Sequence, residues 1–400
     1  MNEMPPTASL NAARPVRSAV TLLLWIALPL AVLGAALWWL FATDPLRAFD
    51  NGAPPVENLA FERTILDADG IRLLVRAGGS EPMRIAQVQV DGAYWQFTQE
   101  PAGNLARGAA AWIQIPFPWI AGDAYAVNIV TATGATFEHE IEVAVATPSP
   151  SARGFASQAM LGALVGILPV AIGLMFYPVL REVGRTGLDF LLALTIGLLV
   201  FLLIDAMDDA LEIAGEAAAI FQGSSIVFLA AAASFLLLMA VARRRGAPSG
   251  LALATFIALG IGLHNLGEGL AIGAAFAAGA AGLGTFLVTG FTLHNITEGI
   301  GIAAPILRER PPLWAFGALI LLAGGPAVLG LWIGSLAFAP HWSALALAIG
   351  GGAIAQVVVE ISAYLARSSG GFRAALSPAV VAGLVAGVGV MYATAMLVKI

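Results

Sequence analysis

Long apolar stretches make up most of the chain, and short polar segments separate them. The first stretch covers residues 19–42 and follows Arg14 and Arg17. Its length is close to the ~20 residues that a helix needs to cross a bilayer, and it exceeds the ~7–15 apolar residues of a secretory signal peptide. We therefore expect an uncleaved transmembrane anchor at 19–42, preceded by a cytoplasmic segment at 1–18.

Residues 43–152 have a different pattern, in which turn signals such as Asp69-Gly70 and Asp91-Gly92 separate short runs of alternating polarity. Alternation with a period of two residues indicates β-strands. The runs that we assign to strands are 71–75, 85–90, 94–97, 112–115, 125–130 and 137–145. Short strands of this kind within about 100 residues are typical of a β-sandwich, and the Pro-Ser-Pro-Ser segment at 148–151 has the composition of a linker.

Eight further apolar stretches follow residue 153. They cover about 154–180, 188–206, 223–242, 251–276, 282–307, 313–337, 343–366 and 376–398. This pattern predicts an all-α polytopic membrane protein with an eight-helix core at 153–400. The fold is completed by the extra N-terminal transmembrane helix and by a small noncytoplasmic β-sandwich at 43–152.

Composition agrees with a membrane protein, because hydrophobic residues make up 59% of the chain and charged residues only 11%. Soluble proteins carry roughly 25% charged residues. The formal net charge of −6, without a basic stripe, argues against nucleic-acid binding. The chain has no cysteine, which excludes disulfides and thiolate metal sites, so any histidine chemistry must use its four histidines.

The arginines of the short loops predict the orientation. If the N-terminus is cytoplasmic and the chain crosses nine times, the cytoplasmic segments collect 11 of the 19 basic residues, and the noncytoplasmic loops between spans collect none. These residues are Arg14, Arg17, Arg181, Arg185, Arg243, Arg244, Arg245, Arg308, Arg310, Arg367 and Arg373. Cytoplasmic loops are enriched in Lys and Arg, so we expect a cytoplasmic N-terminus and a noncytoplasmic C-terminus.

Two segments, 263–272 and 293–302, are near copies with the pattern His-Asn-x-x-Glu-Gly. Histidine and glutamate four residues apart lie on one face of a helix. Each histidine falls near the middle of its span, where ionisable residues are costly and usually functional. The paired motifs consist of His264, Asn265, Glu268, His294, Asn295 and Glu298.

Consecutive antiparallel helices can turn these two faces toward each other and form one midplane cluster. Nitrogen and oxygen ligands without sulfur suit Zn²⁺, Fe²⁺ and Mn²⁺, and two carboxylates would neutralise a divalent ion. Hydrogen bonds that merely hold helices together are an alternative for one such motif, but two midplane copies argue against it. A zinc protease would need the second histidine of His-Glu-x-x-His, which neither copy has.

The doubled motif, in the fourth and fifth of eight core helices, resembles the ZIP (Zrt/Irt-like) family of divalent metal transporters, especially its bacterial zinc-uptake branch. The resemblance covers about residues 154–400. It implies zinc uptake by alternating access, a location in the bacterial inner membrane, and metal ligands at the six motif residues. Many members carry proline where this chain has Gly267 and Thr297. Many members also carry a glutamate just before a proline in the sixth core helix, where this chain reads Gly324-Gly325-Pro326. We therefore expect one dominant metal site.

The expected activity is thus transport of a divalent metal cargo, zinc foremost, without enzymatic activity and without a prosthetic group. A membrane metal sensor that uses the same site without flux is one alternative, and an intramembrane metallohydrolase is another. The expected partners are the lipid bilayer and the metal ion. A homodimer and a periplasmic partner of the β domain stay open.

Other polar residues mark the two ends of the expected pathway. Asp205, Asp208, Asp209 and Glu212 lie at the noncytoplasmic end of the second core helix, where they either attract cations or form a solvated helix end. Glu360, one turn after Gln356, lies toward the cytoplasmic end of the seventh core helix and is a candidate exit ligand.

The two remaining histidines are weaker candidates for metal binding. We expect His341 in a short outer loop, exposed to solvent. In Glu138-His139-Glu140 the two glutamates share one face of a strand and the histidine points away, which argues against a metal site there.

Overall fold

The computed structural model describes residues 19–43, 55–147, 151–244, 246–277, 281–337, 339–368 and 377–398. The predicted segment 1–18 and linker residues 148–150 lie outside the described residues. The chain divides into two compact units, residues 1–54 and 55–400. In the first unit, helix α1 (Ala19–Thr43) forms where the anchor is predicted.

Two four-stranded antiparallel sheets form the β domain in the second unit. One has the order β1-β2-β6-β5 and the other β4-β3-β7-β8. Side chains from both sheets, such as Leu73, Ile113, Val88 and Ile129, share one apolar core, as expected of a sandwich. The strands are β1 (Leu59–Asp67), β2 (Gly70–Ala77), β3 (Ile85–Val90), β4 (Ala93–Trp95), β5 (Thr98–Glu100), β6 (Ala110–Ile115), β7 (Tyr125–Thr131) and β8 (Thr136–Ile141).

The six predicted strands are present, but β1 and β5 were not predicted from the sequence. Strand β5 has only three residues, too few to show a period. Strand β1 places Glu62 at a buried position, where it is 2% exposed and pairs with Arg76. This inward-facing charge breaks the alternation of apolar and polar residues that identifies a strand.

Helices form the rest of the second unit. They are α2 (Ala152–Gly162), α3 (Leu168–Met175), α4 (Tyr177–Leu180), α5 (Arg185–Glu216), α6 (Gly223–Ala242), α7 (Gly250–Ala277), α8 (Ala281–Ala303), α9 (Leu313–Ala337), α10 (Pro340–Ser368) and α11 (Pro378–Val398). A π-helical turn (Ala163–Ile167) joins α2 to α3, and 3₁₀ turns at Ala219–Phe221 and Ala304–Ile306 precede α6 and follow α8.

Six helical stretches of the described chain are long and apolar enough to cross a bilayer, so the protein is a multi-pass membrane protein. They cover Ala152–Leu180, Arg185–Glu216, Ala219–Ala242, Gly250–Phe276, Leu313–Leu336 and Pro340–Ser368. The eight-helix membrane core stays a prediction. Two predicted breaks are wrong: α5 continues through 208–216, and α10 already begins at Pro340.

Close backbone contacts bring the motif helices against their neighbours. Helix α7 packs on α9 and α10, and α8 packs on α3. A side chain at Gly269 would overlap the carbonyl oxygen of Ala327 on α9, and one at Gly299 would overlap that of Val170 on α3. The glycine that ends each motif therefore sets the distance at which the motif residues meet the neighbouring helices.

Candidate metal site

One carboxylate joins the two motifs. The Oε1 atom of Glu268 lies 2.9 Å from Nε2 of His264 on the same helix and 2.7 Å from Nε2 of His294 on α8. One ligand atom from each of these three residues lies within 4.8 Å of the others. The three side chains are 1–9% exposed. They form a compact set of two nitrogen ligands and one oxygen ligand, which suits a divalent metal ion.

The two asparagines connect the motifs crosswise. Asn265 Nδ2 lies 3.4 Å from Oε2 of Glu298, and Asn295 Nδ2 lies 3.4 Å from Oε2 of Glu268. Each amide also donates to a backbone carbonyl of a third helix. Asn265 reaches Ala323 O at 3.1 Å, and Asn295 reaches Val165 O, within the π-helical turn, at 3.0 Å.

Several buried polar atoms of the motifs lack a hydrogen-bond partner among the described residues. They are His264 Nδ1, Asn265 Oδ1, Asn295 Oδ1 and Glu298 Oε1. A buried acceptor without a partner is destabilising by about 1–3 kcal/mol. Three of these atoms are oxygens, the kind of atom that serves as a ligand to a hard or borderline cation. The donor chemistry of the site thus fits the metal that the sequence predicts.

The two motif glutamates have unequal surroundings. Glu268 contacts both imidazoles, whereas Glu298 accepts a hydrogen bond of 3.4 Å from the amide of Asn265. Three of the six predicted ligands, His264, Glu268 and His294, therefore converge directly, and the other three flank them.

A cavity of about 830 Å³ reaches His264 and Glu268 from the direction of the β-sandwich. Asp205, Asp209, Glu212 and Glu216 of α5 line it, so three of the four acidic residues predicted at this helix end face the cavity. Asp208 is exposed elsewhere on the helix and does not line it. We call this cavity the vestibule.

Glu360 and Gln356 lie in a different environment, beyond the motif on α10. Both are fully buried. Glu360 has a charged partner, because Arg243 at the end of α6 donates from Nε to Glu360 Oε1 at 2.9 Å. The amide atoms of Gln356 and Oε2 of Glu360 have no hydrogen-bond partner among the described residues. From the sequence, Arg243 is predicted only as a loop charge.

The other two histidines are occupied by packing and hydrogen bonding. His139 Nε2 lies 2.7 Å from Thr64 Oγ1, and burial lowers the pKa of His139 to about 4. The absence of a metal site with Glu138 and Glu140 stays a prediction. The predicted solvent exposure of His341 is wrong, because its ring stacks on Phe221 with centroids 4.1 Å apart.

No protein-family model matches the chain, and no curated protein matches it. The likeness to metal transporters therefore depends on the paired motifs themselves.

Proposed function

We propose that the protein transports divalent metal ions, Zn²⁺ foremost, across the membrane through the site at His264, Glu268 and His294. One observation carries the proposal. Two imidazoles from successive helices meet one buried carboxylate at the floor of an acidic vestibule. The resemblance of the paired motifs to the ZIP family supports the same function.

The site chemistry favours a dehydrated divalent ion. Neutral imidazoles supply nitrogen ligands, and Glu268 with Glu298 supplies two negative charges that balance a charge of +2. The free Oδ1 atoms of Asn265 and Asn295 add neutral oxygen ligands. Together these groups can replace the water that the ion loses. The absence of cysteine favours Zn²⁺, Fe²⁺ and Mn²⁺ over soft ions such as Cu⁺.

Transport by alternating access requires that the site open to one side at a time. The vestibule connects the site to the end that carries the β-sandwich. Toward the other end, Glu360 lies ten residues, or ~15 Å of helix, beyond Gly350, which contacts His264. The Arg243–Glu360 ion pair lies at this end, and we infer that it closes the path there. We infer uptake from the β-sandwich side into the cytoplasm.

Uptake of Zn²⁺, Fe²⁺ and Mn²⁺, measured one at a time with purified protein in liposomes, tests the proposal. We expect saturable Zn²⁺ uptake that the double variant Glu268→Gln, Glu298→Gln abolishes, because this change keeps shape and removes both charges. Near wild-type uptake by that variant would exclude the midplane site. Zn²⁺ binding by the wild type without flux would instead indicate a metal sensor.

A further inference from the structure

We propose that the β-sandwich forms the fixed outer wall of the vestibule, so that hydrated cations reach the metal site by passing beneath its edge strands β1 and β8. This inference rests on the proposed transport function for its cargo. It gives the β domain a place in the pathway, where the sequence indicates only an accessory module.

Both edge strands line the vestibule. Residues 58–64 of the β1 region and 136–140 of β8 face it from one side. From the other side it is lined by α5, by Ala271 and Ala274 of α7, and by Ser343 and Leu347 of α10. The path to Glu268 is therefore bounded by the β domain and the helices together.

The two edge strands belong to different sheets, yet they form one continuous wall. The hydrogen bond between His139 on β8 and Thr64 on β1 joins them at 2.7 Å. The ring of Phe61 on β1 stacks on His139 with centroids 4.8 Å apart and an interplanar angle of 20°. Because burial keeps the imidazole neutral at physiological pH, this joint carries no net charge.

A chain of four side chains fixes this wall to the helices. Arg76 holds buried Glu62 through two hydrogen bonds of 2.5 and 3.0 Å within the β domain. The guanidinium of Arg76 also lies 5.6 Å from the ring centroid of Phe221, just before α6. Phe221 stacks on His341 at the start of α10, and His341 Nδ1 approaches Glu62 at 3.8 Å. These four side chains thus form a closed ring of contacts between the β domain and the helices.

Size and charge indicate what passes beneath the wall. A water molecule takes ~30 Å³ in the liquid, so an ion with six waters needs ~200 Å³. The vestibule, at about 830 Å³, admits such an ion with room to spare. Its acidic lining raises the local concentration of cations. The exposed carboxylates of Glu138 and Glu140 on the wall add negative charge to the acidic residues of α5.

The test places a reporter inside the vestibule that does not depend on metal. Because the chain has no cysteine, Ala271→Cys provides a single thiol on α7, close to Glu268. Its reaction rates with a cationic and an anionic methanethiosulfonate reagent are compared in purified full-length protein. The wall variant adds Glu138→Lys and Glu140→Lys. The control adds Glu142→Lys, at an exposed residue just after β8 that does not line the vestibule.

If the wall borders the path, the wall variant should lower the cationic-to-anionic rate ratio by about tenfold or more. The control should leave the ratio within about twofold, since Glu142 does not line the vestibule. Equal ratios in wall variant and control would overturn the inference, whether or not the protein transports metal. A shifted ratio in a protein that shows no Zn²⁺ flux would leave the wall in place and overturn only the proposed function.

Discussion

Glu268 and Glu298 occupy equivalent positions in two copies of one motif, but the structure gives them different partners. Glu268 contacts both histidines, while the hydrogen bond of Glu298 among the described residues comes from the amide of Asn265 at 3.4 Å. We expect Glu268→Gln to raise the dissociation constant for Zn²⁺ by ~100-fold and Glu298→Gln by ~10-fold, in the range over which ligand-shell changes act. Equilibrium binding to purified protein measures both values.

The matched control for this pair is Asp208→Gln. It removes a carboxylate from exposed α5 surface, outside the vestibule. It should leave Zn²⁺ affinity unchanged. Equal losses for Glu268→Gln and Glu298→Gln would show that both carboxylates bind the ion directly, contrary to the asymmetry described above.

His139 yields a prediction about pH. Burial lowers its pKa from 6.5 to about 4, so folding favours the neutral imidazole. The folded β domain therefore has full stability above pH ~6.5 and loses ~3 kcal/mol as pH falls toward ~4, where the folded form is protonated too. NMR of protein labelled in histidine should show a His139 signal that does not titrate between pH 8 and 5. His139→Gln identifies the signal. A titration midpoint of that signal near pH 6.5 would contradict the burial of His139 between β1 and β8.

The sequence predicts the histidine–glutamate pairs because spacing of i,i+4 is local information. It does not predict that both histidines converge on Glu268, since that choice depends on how α7 and α8 are rotated. The sequence does not predict the asparagine contacts to Val165 and Ala323 either, because they depend on a π-helical turn and on the placement of α9. Arg243 was missed because its partner is 117 residues away in the chain.

Helices α7 and α9 touch along their backbones, and glycine makes this contact possible. Gly269→Ala places a methyl group on the carbonyl of Ala327, whereas Gly325→Ala on α9 meets no atom within 4 Å. We expect Gly269→Ala to lower the thermal unfolding temperature in detergent and to weaken Zn²⁺ binding, since overpacking costs ~1–3 kcal/mol. Gly325→Ala should be neutral or slightly stabilising, because alanine favours helix. The reverse order would show that the two helices can separate without cost.

Helices α6 and α10 are joined near their ends by Arg243 and buried Glu360. Arg243→Gln leaves this carboxylate without its partner, and a buried unpaired charge draws in water. Labelling of a cysteine introduced at Gln356 should then become about tenfold faster in purified protein. Arg244→Gln, which removes the same charge from the exposed neighbouring residue, is the control. Equal labelling rates in both variants would exclude the Arg243–Glu360 ion pair as the contact that closes the path beyond the metal site.

The positions of these elements were more predictable than their ends. Apolar length predicted helices at each of the eight core positions, because length and hydrophobicity are properties of single segments. Helix α5 extends past its predicted end because Asp209, Glu212 and Glu216 face the vestibule instead of ending the helix. A sequence cannot show that a membrane helix borders a polar cavity.

At the scale of the whole molecule, the proposed transporter has a rigid outer wall if the ring of Glu62, Arg76, Phe221 and His341 stays closed. A disulfide tests this rigidity directly. Gly78 and Ala219 adjoin across the two domains, since a Cβ on Gly78 would lie 3.4 Å from the nitrogen of Ala219. After oxidation of the Gly78→Cys, Ala219→Cys variant, Zn²⁺ uptake should stay within about twofold of the reduced protein, because a fixed wall need not move.

The two single-cysteine variants, oxidised in the same way, control for effects of the reagent. Uptake that is lost on oxidation and returns with reductant would show that the β domain is a moving lid. Such a result would contradict the fixed wall and leave the metal site unaffected.

The depth of the vestibule also determines where the membrane voltage acts. If water fills this cavity of about 830 Å³ with acidic walls, the electrical potential of the outer solution extends to its floor at Glu268. The voltage then falls across the packed segment between Glu268 and Glu360. A divalent ion that crosses this segment at 100 mV, negative inside, gains ~5 kcal/mol, from ~2.3 kcal/mol per charge. The resting potential of the cell would therefore drive the inward step directly, and uptake would generate an electric current.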